Sequence, residues 1–326
     1  MAAAQTGRIV LYICSGISNF GLMKKLFLII IAGLLAAGEA FGQESNALSF
    51  SRIDRNPVTS AFAGAGAAYN RSAAYSAFGS AAMLPFFDGT LDAAVSYQRW
   101  APGLSVSNNI SAGVAYRIMP RLGLSLGYTL ENGAAYEIFE GPGDPSAIFY
   151  PKNHVIALGV GVGITDMISA GINIRYARDA SAHGYIFGGV SADIFAGVQL
   201  NEALRITAGL STLGTRVAGS WSQPASAKAA VDWAPVLSGD HALDIMADAD
   251  YYFSGSFAAA AGLQYAFRQM LYVRAGYRFA SETCVIPGHM ALGLGVKFSG
   301  FRLDFSWLTA SQALGNTLNV GLGYSF

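Results

Sequence analysis

Charge is scarce in this sequence. Asp, Glu, Lys and Arg together make up 12% of 326 residues, about half the ~25% share of ordinary soluble domains. What charge there is cancels, with 20 basic against 20 acidic residues, so neither a nucleic-acid-binding surface nor an acidic tail is indicated. Thiols are scarcer still: Cys14 lies ahead of the mature start expected below, which leaves Cys284 alone. One thiol cannot close an internal disulfide, so no staple holds the fold. Long apolar runs are missing too. Hydrophobic residues reach 53%, yet beyond the N-terminus nothing approaches the ~18 uninterrupted apolar residues of a membrane helix. The sequence also lacks a phosphate-binding glycine loop, a zinc-ligand spacing and a nucleophile elbow. Its histidines, His154, His183, His241 and His289, stand far apart. No enzyme, cofactor or metal is expected.

Low charge combined with high hydrophobicity suits a membrane barrel, in which one face of each strand meets lipid and the other is small or polar. The N-terminus supplies an export route. Met23-Lys24-Lys25 is a basic start, Leu26 to Ala37 an apolar core, and Ala40-Phe41-Gly42 a small-x-small cleavage site. Residues 1–42 therefore read as a signal region, with initiation at Met23 and a mature start near Gln43. Residues 43–90 form an N-terminal segment and 91–326 the barrel.

From residue 91 onward about ten residues of alternation are followed by a break, again and again. In the last segment Leu318, Val320, Leu322, Tyr324 and Phe326 share one face, and Thr317, Asn319, Gly321, Gly323 and Ser325 the other. Strands are expected near 91–100, 107–118, 121–130, 154–164, 167–177, 186–200, 203–213, 225–233, 241–252, 256–267, 270–280, 288–298, 301–309 and 315–326. This is an all-β, transmembrane antiparallel β-barrel of about 14 strands, the even number a single-chain bacterial barrel requires. Soft edges in three of the segments leave about 12 or 16 open. Short connections such as Met119-Pro120, Thr165-Asp166 and Asn201-Glu202 alternate with longer ones at 131–152, 178–185, 214–224 and 281–287. That alternation predicts short turns and both termini on the periplasmic side of the bacterial outer membrane.

Tyr97, Trp100, Tyr128, Tyr176, Trp233, Tyr251, Tyr252, Phe279, Trp307, Tyr324 and Phe326 fall near strand ends and predict interfacial girdles against outer-membrane lipid. Tyr324 and Phe326 also form an expected signal for the outer-membrane assembly machinery. Asp232, Asp244, Asp248 and Asp250 on two consecutive strands, and Arg274, Arg278, Lys297 and Arg302 with Asp304 on three later ones, are predicted to face inward, acid opposite base. Charge facing lipid would be costly. Segment 50–88 does not alternate but is rich in alanine and glycine, with aromatics interspersed. Inward-register glycines, among them Gly113, Gly127, Gly161, Gly171, Gly293 and Gly321, leave space beside it. We expect this segment to enter the lumen as a plug, with Arg55, Phe62, Gly64, Gly66, Phe78 and Met83 as its marking residues.

An alanine/glycine-rich plug ahead of about 14 strands resembles the FadL-type channels for long-chain fatty acids and other hydrophobic molecules. Arg55, then Ser60-Ala61-Phe62-Ala63-Gly64-Ala65-Gly66, then Ala73-Ala74-Tyr75 and Ala81-Ala82-Met83-Leu84-Pro85, looks closest to the PorV/PorQ branch. Ala77-Phe78-Gly79-Ser80-Ala81 stands where that branch carries Asn-Pro. The resemblance implies a channel for small hydrophobic or amphipathic molecules. The alternative it implies is an accessory barrel of a type IX-like secretion system, with a secretion subunit in place of a hydrophobic ligand as partner.

The strand parity can be tested directly. A cysteine introduced at Gly141 should react with an impermeant thiol reagent on intact cells. One at Asp166 should react only after the outer membrane is permeabilised, and the reverse pattern would overturn the assigned direction.

Overall fold

The computed structural model describes residues 47–101, 106–237, 240–311 and 314–326; the predicted export signal and cleavage site lie outside these. The strands are β1 (Leu91–Trp100), β2 (Ser107–Met119), β3 (Leu122–Asn132), β4 (Tyr136–Ile138), β5 (Ala147–Phe149), β6 (Lys152–Gly163), β7 (Ile168–Ala182) and β8 (Tyr185–Gln199). They continue as β9 (Leu204–Gly214), β10 (Ser226–Leu237), β11 (His241–Tyr252), β12 (Phe257–Phe267), β13 (Leu271–Ala280), β14 (His289–Phe298), β15 (Phe301–Thr309) and β16 (Thr317–Ser325). All but β4 and β5 form one closed antiparallel barrel of 14 strands, sealed where β1 pairs with β16.

The period of two in the sequence becomes two surfaces of opposite character. Leu318, Val320, Leu322 and Tyr324 project outward, while Gly321 and Gly323 face the lumen. Outward-facing aromatics form two bands. Tyr97, Tyr128, Tyr176, Tyr251, Phe279 and Trp307 lie toward the long-loop end, and Tyr116, Trp233, Tyr265, Phe298, Phe301 and Tyr324 toward the short-turn end. Trp100 and Tyr252, expected in the girdles, instead point inward, at 7% and 2% exposure. Each ends its strand on the inward register, so proximity to a strand end was the wrong criterion for them. A continuous apolar exterior between aromatic bands is what a barrel immersed in lipid needs.

Two expected loops are more ordered than the sequence suggested. The connection 131–152 contains the small β4–β5 hairpin. The expected long connection at 178–185 shrinks to a tight turn, because β7 and β8 run on until Ala182 pairs with Tyr185. Gly184, at φ 78°, supplies the left-handed residue that this turn needs.

The lumen is filled by residues 47–87. Asn56 caps the one-turn helix Pro57–Ser60, its side chain accepting from Val58 N at 3.0 Å. The chain then reverses through Ala63, Gly64 and Gly66, all at positive φ. At Gly66 a side chain is excluded twice, by φ +140° and by Thr59 Cγ2, 2.7 Å from where a Cβ would sit. Phe62 is fully buried with Val58, Tyr69 and Met246. Met83 and Leu84 are also buried, and Phe78 is half-buried.

The wall makes way for this segment with glycine. A Cβ at Gly161 would meet the Ala81 carbonyl, at Gly171 the Ala82 nitrogen, at Gly127 the Phe78 ring and at Gly293 the Ala61 methyl. Gly113, Gly262, Gly276 and Gly321 stand in the same way against Ala74, Phe62 and Pro57. Substituting Gly161 or Gly171 by Leu should therefore cost stability, by about 1–3 kcal/mol of over-packing. Ala170, next in the chain but facing outward, should accept Leu without loss. The comparison is read from the urea midpoint of heat-modifiable migration, and equal midpoints for all variants would contradict the packing.

Candidate functional site

Inside the barrel nearly every charge has a partner, and the partners run in order around the wall. Arg71 of the luminal segment pairs with Asp244 on β11. Gln264 on β12 donates to Asp244 at 2.8 Å and accepts from Arg274 Nε on β13 at 2.7 Å. Arg274 reaches Asp304 on β15 at 2.6 Å, Arg302 binds the same carboxylate at 2.9 Å, and Arg302 also lies 3.4 Å from Asp92 on β1. Asp92 then accepts from the backbone nitrogens of Ala73 and Ala74 at 2.7 and 2.9 Å. The circuit starts and finishes on the luminal segment, within four residues of chain. Gly295 and Gly323 serve this belt rather than the segment: a Cβ there would lie 2.6 Å from Asp304 Oδ1 and 2.9 Å from Arg302 Nη2.

A second cluster sits nearer the loop end. Asp248 accepts from Gly66 N at 2.9 Å and Ala67 N at 3.2 Å, a carboxylate holding two consecutive backbone donors as Asp92 does. Asp250 binds Arg52 at 3.2 Å and Lys228 at 3.1 Å, with Arg278 at 3.9 Å. Arg52 takes two further contacts from a bulge between β8 and β9, which turns Ser211 and Thr212 inward together. Their hydroxyls accept from Arg52 Nη1 at 2.6 and 3.1 Å. Arg175 pairs with Asp193, and Arg205 with Asp232 at 2.9 Å.

Arg55 departs from the pattern. It is buried without a carboxylate, its guanidinium donating to the carbonyls of Phe50, Ser51 and Ile53 and lying over Phe78. Burial lowers its pKa to about 10, against the opposing field of Glu131. It ties the start of the segment into a compact turn, and its own carbonyl accepts from Ser96 on β1 at 2.9 Å.

The predicted charged residues all lie on the inward register, but acid does not simply face base across an open lumen. Only Arg278 and Asp250 join the two groups directly, at 3.9 Å. The acids are otherwise neutralised by neighbouring strands or by the segment, because a filled lumen separates opposite walls. Lys297 is half-exposed near the short-turn end and makes no ion pair among the described residues. Tyr324 faces outward, and Phe326, exposed at 72%, continues the sheet through Leu91 with its backbone. Arg52, Arg71, Asp92, Arg205, Lys228 and Gln264 were missed. Alternation alone placed the last four inward, whereas nothing in sequence pairs Arg52 or Arg71 with a strand.

Two cavities adjoin the segment. One of about 170 Å³ lies within the lumen and is mixed in character, with Arg52, Asp54, Lys228, Asp250 and Arg278 beside Phe78, Met83, Trp100 and Phe195. The other, of about 370 Å³, opens at the loop end and is lined by Phe50, Ile53, Trp100, Tyr136, Pro151 and Ile286 beside Glu131 and Asn153.

These features define a class: a transmembrane β-barrel of the bacterial outer membrane whose lumen is occupied by its own N-terminal segment. No protein-family model and no curated protein matches the chain. Solved structures do. The toluene transporter TbuX of Ralstonia pickettii superposes with a TM-score of 0.59 at 11% identity, over 85% of this chain and 99% of that one. The monoaromatic hydrocarbon channel CymD gives 0.59 at 13%, over 84% and 98%. The toluene transporter TodX of Pseudomonas putida gives 0.50 at 12%, over 87% and 98%. At such identity the likeness is one of fold.

Asp92 should be a sensitive luminal position, since it joins an ion pair and two backbone donors. Asp92→Ala should lower stability by about 3–5 kcal/mol, the cost of stranding a buried partner. Asp88→Ala, exposed four residues earlier, should stay within about 0.5 kcal/mol of wild type. Urea titration of the refolded barrel measures both.

Proposed function

We propose that this chain is an outer-membrane channel of FadL-like type for small hydrophobic or amphipathic molecules, with residues 47–87 acting as its plug. The observation that carries the reading is a lumen filled by a separate, non-strand segment rather than by wall side chains. A structural barrel can close itself with large inward residues; this one lines its wall with glycine and admits a chain that can in principle leave. The pocket at the loop end supports the reading, because Phe50, Ile53, Trp100, Tyr136 and Ile286 offer apolar contacts beside the polar Glu131 and Asn153, a mixed lining that suits a small hydrophobic or amphipathic molecule. So does the fold shared with toluene and monoaromatic hydrocarbon transporters.

Passage through this lumen requires the plug to shift. The inner cavity has Arg52, Asp54, Lys228 and Arg278 in its lining, a costly contact for a hydrocarbon even where those charges are paired. Movement would release the carboxylates of Asp92 and Asp248 from the backbone donors they hold, so the segment is closed at rest.

One observation favours a second reading, an accessory barrel that binds a protein partner, as the PorV/PorQ resemblance implies. The β4–β5 hairpin exposes Phe139, Ile148 and Tyr150 beyond the barrel wall, and apolar side chains displayed in a loop suit a docking partner.

Uptake of labelled toluene at low external concentration separates the two. Cells producing the barrel should exceed a barrel-free strain several-fold, and a chain lacking residues 50–88 should take up more than wild type. Uptake equal to that of the barrel-free strain in both cases would remove the channel reading.

A further inference from the structure

Lipid-facing charge is confined to one side of the barrel. Arg99 on β1 is in register with Asn108 on β2, Asn108 with Asn132 on β3, and Asn132 with Lys152 on β6. One step nearer the membrane centre, His154 on β6 is in register with Arg178 on β7. All six lie on the outward register at the loop end. From β11 round to β16, the neighbour of β1, the outward positions toward the loop end are Tyr251, Phe257, Phe279, Met290, Trp307 and Leu318.

These cations differ from the paired arginines of the lumen. No ion pair among the described residues engages Arg99, Lys152 or Arg178. The acids on the same strands, Asp92, Glu131 and Asp179, lie on the inward register. The polar row rests directly on the aromatic band, to which it is tied: Tyr97 donates to Asn108 at 2.8 Å, and Tyr128 hydrogen-bonds His154 at 2.8 Å. That band marks the level where acyl chains give way to headgroups.

We infer that this row is a binding site for the phosphates of an anionic lipid in the leaflet at the loop end. Long basic side chains at this depth lay their stems on the apolar wall and hold their charge at headgroup level. Guanidinium and ammonium groups are the natural partners of phosphate, with amide and imidazole donors beside them. Three strand spacings of ~4.8 Å put Arg99 about 14 Å from Lys152. A row of that length has room for two phosphates side by side and so fits a headgroup bearing both, such as a bisphosphorylated glycolipid. The site is independent of transport and would operate on a closed barrel.

The test uses the full barrel, refolded in non-ionic detergent and titrated with purified lipopolysaccharide under native mass spectrometry. Wild type should bind the phosphorylated form, and binding should weaken as salt rises. The triple variant R99Q/K152Q/R178Q should bind at least ~10-fold more weakly, while R99K/R178K should retain most of the affinity. R121Q, a charge loss at the opposite rim, should behave as wild type, with heat-modifiable migration confirming that every variant is folded. Equal affinity of the triple variant and R121Q would overturn the site, as would undiminished binding of lipopolysaccharide stripped of phosphate. Displacement of the lipid by millimolar inorganic phosphate would overturn the assignment to a lipid.

Discussion

A charge enclosed by a barrel in lipid has no bulk water to screen it, so leaving it without a partner is costly. The belt that runs from Arg71 through Asp244, Gln264, Arg274, Asp304 and Arg302 to Asp92 meets this requirement as a circuit. Its ends are donors of the luminal segment, the Arg71 guanidinium and the Ala73 and Ala74 nitrogens. The wall cannot satisfy its own charges without the segment, and the segment cannot satisfy its own backbone without the wall. Such reciprocity makes the filled lumen a single cooperative unit rather than a barrel with a passenger.

The glycines follow from the same constraint. A strand loses stability with each glycine, and this wall accepts that cost wherever the segment's backbone or an arginine must come close. Gly161 and Gly171 admit the turn at Ala81 and Ala82, while Gly295 and Gly323 admit the belt itself. Phe62 needs two of them, Gly262 and Gly276 on adjacent strands. Close packing inside and a uniform apolar surface outside are thus met by one alternation, since each strand gives its odd and even positions to different solvents.

Three environments divide most of the charged residues. Those of the lumen are mostly paired, Arg121 at the short-turn rim pairs across turns with Asp166 at 2.5 Å, and Arg99, Lys152 and Arg178 on the lipid-facing loop-end rim make no ion pair among the described residues. Exposed pairs of the second kind contribute little, about 0–1 kcal/mol, so they do not shape the fold. The outward cations at the loop end are the group whose partner must come from the surroundings, and the membrane is what surrounds them.

The period of two, the turn residues and the even strand count are local properties, and from them the chain alone determined a closed barrel, the inward glycines and the inward direction of Asp232 through Asp304. The non-alternating stretch at 50–88 was equally visible, because a segment without a strand period cannot join the wall. What only the tertiary structure decided is which charges meet. Arg52 and Asp250 are far apart in sequence, and the hydroxyls that complete the Arg52 site come from a bulge at Ser211–Thr212 that no alternation announces. Trp100 and Tyr252 turn inward because parity along a strand, not nearness to its end, sets the face. The tight turn at Gly184 likewise required β7 and β8 to keep pairing past the apolar band. The physical reason is common to all three: period and propensity act between near neighbours, whereas charge pairing, bulges and strand length are settled by partners that the closed barrel brings together.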